Sequence, residues 1–205
     1  MMKLSPCNIY QEVLEFLLRQ EISGLNFPLE PLCARNGWAV LPVQEFCRKR
    51  GFDVAFMLER VLMSNYGAAI HFRDRDKYCI VYNDALEKSE IRWTIAHEIG
   101  HIVLRHFERY PDAVSSSGVL RESQYGLFES EANLFARFLL APPVILAESG
   151  IIRISDIAER TGLPHEEARR MSLFLKGSFL YMERDEILER QLMERFQIHP
   201  DSRVG

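Results

Sequence analysis

The sequence is short of the features that mark several large classes of protein. It has four cysteines in 205 residues, Cys7, Cys33, Cys47 and Cys79, and no two of them make a C-x-x-C pair. That scarcity excludes a disulfide scaffold and a cysteine-rich zinc module, and it fits reduced thiols filling the core of a cytoplasmic protein. Positive charge is not in excess either, since 25 Lys and Arg stand against 29 Asp and Glu, a formal net charge of −4. No global basic field exists to hold a polyanion, so direct nucleic-acid binding is not expected. Long apolar runs are absent. The greasiest stretch, Leu134 to Ala147, is interrupted by Arg137 and by Pro142-Pro143, which excludes a membrane span of about 20 residues. Met1 to Tyr10 lacks the apolar core of a secretory signal.

What is present is the composition of a folded globular protein, 47% hydrophobic and 26% charged. Helical spacing places Ile9, Val13, Phe16 and Leu17 on one face of a first helix, and a short helix over Leu29 to Asn36 is closed by Gly37. Trp38 to Val43 is apolar and carries Pro42, which suits a strand at a sheet edge. Gln44 to Met63 reads as helix divided near Gly51 and Asp53. Gly67 to Phe72 and Tyr78 to Tyr82 flank a charged tip and predict an antiparallel hairpin, hence a small antiparallel sheet. From Ser89 to about Phe107 the apolar residues recur at helical intervals. Pro111 to Gly126, rich in Ser and Gly, reads as a mobile loop. A helix over Leu127 to Leu140 must then stop at Pro142-Pro143. Ile154 to Gly177 reads as two short helices around Thr161-Gly162, and Glu183 to Phe196 as an amphipathic helix with an Ile187, Leu188, Leu192, Phe196 stripe.

The chemistry lies in His97-Glu98-Ile99-Gly100-His101, an H-E-x-x-H within a helical pattern. Four residues advance a helix by about 400°, so both imidazoles leave one face about 6 Å apart along the axis and can chelate one metal ion. Zn2+ suits imidazole and carboxylate ligands, and a catalytic site uses three protein ligands with water as the fourth. Glu98 is placed to take a proton from that water as general base without being a ligand. The third ligand must come from elsewhere, and Glu129 and Glu131 are the candidates. Glu131 shares its helix face with Leu134, Phe135 and Phe138, whereas Glu129 lies with Ala132, Asn133, Ala136 and Arg137. A carboxylate on the core-facing stripe needs a buried partner, which a metal supplies, so the pattern favours Glu131.

Other histidines are set aside as ligands. His106 falls about 140° round the helix from His101, which points to a role behind the ligands or on the surface. His71 carries no such spacing, and His165 and His199 lie in polar stretches. The Ser155 to Lys176 pair has helix-turn-helix spacing. Its would-be recognition helix opens with Pro164-His165-Glu166-Glu167, two carboxylates where phosphates and base edges want donors, so it reads as a packed supporting pair.

Arg92-Trp93-Thr94-Ile95-Ala96-His97-Glu98-Ile99-Gly100-His101, then Glu131-Ala132-Asn133-Leu134-Phe135-Ala136, then Leu139-Leu140-Ala141-Pro142 together resemble the ImmA/IrrE family of metallo-endopeptidases. Ala141 departs mildly, where a Met often precedes the proline. The resemblance covers about Pro31 to Arg170 and implies an α+β, zincin-like fold; the chain is read as an N-terminal helical segment over 1–30, a metallopeptidase core over 31–150 and a C-terminal helical segment over 151–205. It implies zinc on His97, His101 and Glu131 with Glu98 as base. It also implies a protein substrate, a helix-turn-helix repressor of mobile-element or stress-response genes. The oxyanion donor stays open between Tyr110 and Tyr125. An exposed hairpin strand, Gly67 to Phe72 or Tyr78 to Tyr82, is expected to receive substrate as an added strand. Two other classes stay open beside the enzyme: a DNA-binding regulator with a structural or vestigial metal site, and an interaction protein using the loop.

Overall fold

The computed structural model describes residues 4–120 and 126–198. Along the chain come α1 (Pro6–Arg19), α2 (Leu29–Arg35), β1 (Ala39–Pro42), α3 (Val43–Arg50) and α4 (Val54–Phe56), which runs on as a wider π-type helix over Met57–Leu62. The strands β2 (Gly67–Phe72) and β3 (Lys77–Tyr82) follow, then α5 (Lys88–Val103), α6 (His106–Arg109) and α7 (Gly126–Leu140). The last helices are α8 (Pro143–Glu148), α9 (Ile154–Thr161), α10 (His165–Lys176) and α11 (Glu186–Arg195). The class is α+β, as the sequence implies. Two compact units form, one from Pro28 to Asn133, the other from residues up to Phe27 with those from Leu134 on. Helix α7 contributes residues to both.

In the first unit the sheet has three strands in the order β1-β3-β2. The hairpin forms as its pattern predicts, antiparallel with Ala69 opposite Ile80. The antiparallel sheet expected from the sequence is corrected by β1, which lies parallel to β3 with Ala39 opposite Cys79. Side-chain alternation identifies a strand but carries no direction, so pairing sense is settled by the helical crossover instead. Strand β1 stands at the sheet edge, where Pro42, lacking an amide hydrogen, is tolerated.

One sheet face sends Ala68, Ile70, Cys79 and Val81 into a core with Val43, Phe46, Met57 and Leu62. Burial pushes the Cys79 thiol up to about 11 and, helped by Glu30, the Cys33 thiol up to about 12, so both are unreactive core filler. The other face meets α5. A Cβ on Gly67 would fall 2.5 Å from the Val81 carbonyl oxygen and 2.9 Å from Thr94 Cγ2, so only glycine lets the helix lie this close.

Helix α5 starts with a capping box in which Glu87 and Glu90 satisfy each other's backbone amides. It stops sooner than apolar spacing predicts. Arg105 takes a left-handed conformation (φ 57°) between α5 and α6, so the expected single helix to Phe107 is two, and His106 is re-aimed. Helix α7 ends where the prolines require, with Pro143 opening α8.

In the second unit α1 buries Ile9, Val13, Leu14 and Leu17, and α9 and α10 pack as a pair joined through the left-handed Gly162 (φ 70°). Arg137 pairs with Glu167 at 2.6 Å and Arg169 with Glu166 at 2.8 Å, so these charges are matched within the unit. The apolar stripe expected on α11 holds at Leu192, which is buried, and in part at Leu188 and Phe196, but Ile187 is 68% exposed while Glu189 is 4% exposed. Tyr10 Oη donates to Glu189 Oε1 at 2.8 Å, and Arg184 Nη1 lies 3.3 Å from Oε2. Among the described residues no helix is long and apolar enough to cross a membrane.

Candidate metal centre

His97 and His101 stand one turn apart on α5 with their Nε2 atoms 2.9 Å from each other. Hydrogen bonds at the far side of each ring decide which nitrogen carries the proton. His97 Nδ1 donates to Asn133 Oδ1 at 3.0 Å, and His101 Nδ1 lies 3.0 Å from His106 Nδ1. Both Nε2 atoms therefore point into one space, where neutral rings protonated on Nδ1 would offer two lone pairs to a single cation.

The carboxylate that completes the group is Glu129. Its Oε2 lies 3.1 Å from His97 Nε2 and its Oε1 3.4 Å from His101 Nε2. One ligand atom from each of the three residues falls within 4.8 Å of the others, a donor set of two imidazoles and a carboxylate that fits a divalent transition ion. Glu131, the third ligand favoured by helix phasing, does not join this group. Its carboxylate is fully buried, as expected, but Arg109 Nη1 at 2.8 Å and His106 Nε2 at 3.1 Å are its partners. The inference that a core-facing carboxylate needs a partner holds, and the partner is a guanidinium.

Glu98 sits beside the pair, 8% exposed, and its Oε2 accepts the Ala69 amide at 2.7 Å. Burial raises its pKa above the ordinary carboxylate value, with the His101 and His97 charges and that amide pulling the other way. Burial also raises Glu129, but hydrogen bonds from His101 and His97 outweigh it and hold the carboxyl well below the usual range. For His97, burial lowers the pKa, while the Glu129 hydrogen bond and the charges of Glu98 and Glu129 outweigh it and leave the ring above its ordinary value. His106 is driven down to about 2, by burial first and then by the neighbouring His101 and Arg109 charges, and is neutral.

Other residues named from the sequence are elsewhere. His71 stacks on Tyr78 and hydrogen-bonds Asp76, and His165 is exposed. Tyr110 is buried beside Arg109 and Phe128, whereas Tyr125 and His199 lie outside the described residues. Sequence reasoning missed Asn133 and Arg109. Asn133 lies four residues after Glu129, a polar i,i+4 pair that marks the site-facing side of α7.

Of the hairpin strands β2 is outermost. Its outward amides are already engaged: Ala69 by Glu98, and His71 by the Gly118 carbonyl at 2.9 Å. Val119 bridges Ile70 and is buried in the sheet core. Gly118 has φ 81°, and a Cβ there would sit 2.4 Å from the His71 carbonyl oxygen. The free edge expected for an added substrate strand is thus occupied, over Ala69 to His71, by part of the segment read from sequence as a mobile loop.

A family model described as the IrrE N-terminal-like domain of peptidase family M78 matches residues 49–172, which include every residue of this centre. No curated protein matches the chain. Among solved structures, a transcriptional regulator of Mycobacterium tuberculosis is similar at 15% identity with a TM-score of 0.34, over 78% of this chain and 50% of that one. The chain thus spans half the length of that protein. With the family model covering more than half of its residues, the chain belongs to the IrrE N-terminal-like, M78 peptidase family.

Proposed function

We propose that the protein is a zinc-dependent endopeptidase whose metal is held by His97, His101 and Glu129. The observation that carries this reading is the convergence of three lone-pair donors, with Glu98 fixed beside them by the Ala69 amide. When bound, the ion supplies Lewis acidity, lowering the pKa of water and polarising a peptide carbonyl. Asn133 and His106 hold the two imidazoles in the ligating orientation. Glu98 takes the proton from the attacking water on its carboxylate and returns it to the leaving amine. Its burial-raised pKa suits both halves of that transfer, since a carboxylate of higher pKa holds the proton between the two steps.

The substrate is a helix-turn-helix repressor, a reading that rests on the family resemblance. Such a substrate meets the site beyond the Gly118–Val119 pairing, because the Ala69 and His71 amides are taken. The test is to co-express the protein with a candidate helix-turn-helix repressor and a reporter under that repressor's control. Wild type is expected to cut the repressor and release the reporter. Glu98→Gln, nearly isosteric but unable to accept a proton, is expected to keep zinc and lower cleavage by about 10²–10⁴-fold. Derepression by Glu98→Gln with the repressor uncut would establish binding in place of proteolysis.

A further inference from the structure

We propose that Arg109, Glu131 and His106 form a positioning chain that fixes the tautomer of His101 and so presents its Nε2 lone pair to the metal; this rests on the metal centre described above. The direction of each hydrogen bond forces the next. Arg109 has donors only, and its Nη1 gives a hydrogen to Glu131 Oε2 at 2.8 Å, so that oxygen is an acceptor. The same oxygen lies 3.1 Å from His106 Nε2, so that nitrogen must donate and carries the proton. A neutral imidazole has one N–H, which leaves His106 Nδ1 an acceptor. Its neighbour at 3.0 Å is His101 Nδ1, which must therefore donate. The lone pair of His101 is then on Nε2, the atom that faces His97 Nε2 and Glu129.

Both His106 and Glu131 are 0% exposed, so solvent cannot substitute for either link. The chain is assembled from three elements. His106 reaches the back of His101 only because Arg105 breaks the helix in a left-handed conformation, and Glu131 comes from α7. His97 is oriented more simply, by the single amide of Asn133. His106 is not a ligand, since both of its nitrogens are committed, and it acts on the metal only through His101.

The test uses the zinc-loaded full chain labelled with 15N at histidine. The expected spectrum shows His106 neutral and protonated on Nε2, with a scalar coupling between His101 Nδ1 and His106 Nδ1 transmitted through the hydrogen bond. Zinc affinity is then compared in His106→Asn and His106→Leu by chelator competition. Asparagine puts an acceptor oxygen near the Nδ1 position and should keep affinity close to wild type, whereas leucine fills the space without an acceptor and should lose about 10–100-fold. A His106 protonated on Nδ1, a missing coupling, or equal losses in the two variants would overturn the proposal and leave His106 a packing residue. The wild-type spectrum decides even if the leucine variant fails to fold. Failure of wild type to take up zinc would instead reject the metal centre itself, so the two failures are distinct.

Discussion

Each compact unit holds a carboxylate wholly or partly out of solvent, Glu189 in one and Glu129 in the other, and the two are satisfied in opposite ways. In the helical unit Glu189 is met by the Tyr10 hydroxyl and the Arg184 guanidinium, a donor and a cation supplied by the chain. In the sheet-bearing unit the half-buried Glu129 faces the Nε2 atoms of His97 and His101, two rings whose far nitrogens meet Asn133 and His106. The first cluster is closed by the chain's own donors and ties α1 to α11, whereas the second is a donor set compatible with a cation from outside. Glu131 belongs with Glu189, although it lies two positions from Glu129 on the same helix. Burial shows that a carboxylate has a partner; the neighbouring donors show whether that partner is protein or metal.

The sharpest way to break this comparison is to remove the acceptors. His97→Ala, His101→Ala and Glu129→Ala are each expected to abolish stoichiometric zinc, because two remaining donors do not hold the ion against water. Elemental analysis of the purified variants checks it, and undiminished zinc in any of them would end that residue's assignment as a ligand.

Glu131→Ala should separate the two kinds of carboxylate. Removing it leaves Arg109 beside a buried void, and breaking such a pair costs on the order of 3 kcal/mol. Zinc affinity should fall by about 10–100-fold, acting only through His106. Urea unfolding and a chelator titration measure the two effects, and a larger zinc loss than in Glu129→Ala would reverse the ranking.

The helical cluster supplies the control. Tyr10→Phe deletes one hydrogen bond to a buried carboxylate and should destabilise the fold by about 1–3 kcal/mol, with zinc content unchanged. Any loss of zinc in this variant would contradict the distinction between closed and open clusters.

A smaller effect follows from protonation. His106 titrates near 6.5 when unfolded and about 2 when folded, so its depressed pKa contributes stability above pH 6.5 that is lost as pH falls below it. Metal-free wild type should therefore lose stability between pH 7 and pH 4 more steeply than His106→Asn, which has nothing to protonate there. Parallel denaturation curves for the two proteins across that range would show that His106 is not held neutral by burial.

Strands, most helices, the helix stop at Pro142-Pro143 and the H-E-x-x-H pair were legible in the sequence, because each follows from local spacing or from proline chemistry. What two buried carboxylates meet was not. On α7 and α11 an apolar stripe pointed to Glu131 as the ligand and Ile187 as core, yet Glu131 pairs with Arg109, and Glu189 is buried while Ile187 is exposed. Hydrophobic counting treats a carboxylate as a surface group unless a metal is invoked, and does not see a guanidinium or hydroxyl arriving from a distant segment.

The sequence by itself determined that two imidazoles and the Glu98 carboxylate share one helical turn, because a four-residue spacing and a 3.6-residue helix leave no other arrangement. It also determined the α+β class and the lack of a membrane-spanning helix among the described residues. Only the tertiary structure decided which carboxylate faces that pair, that β1 lies parallel to β3, and that Gly118 and Val119 cover the edge of β2. It also decided that residues before Phe27 cluster with those after Leu134. These are pairings between segments far apart in the chain, set by where donors, acceptors and apolar faces meet after folding, and local periodicity carries no record of them.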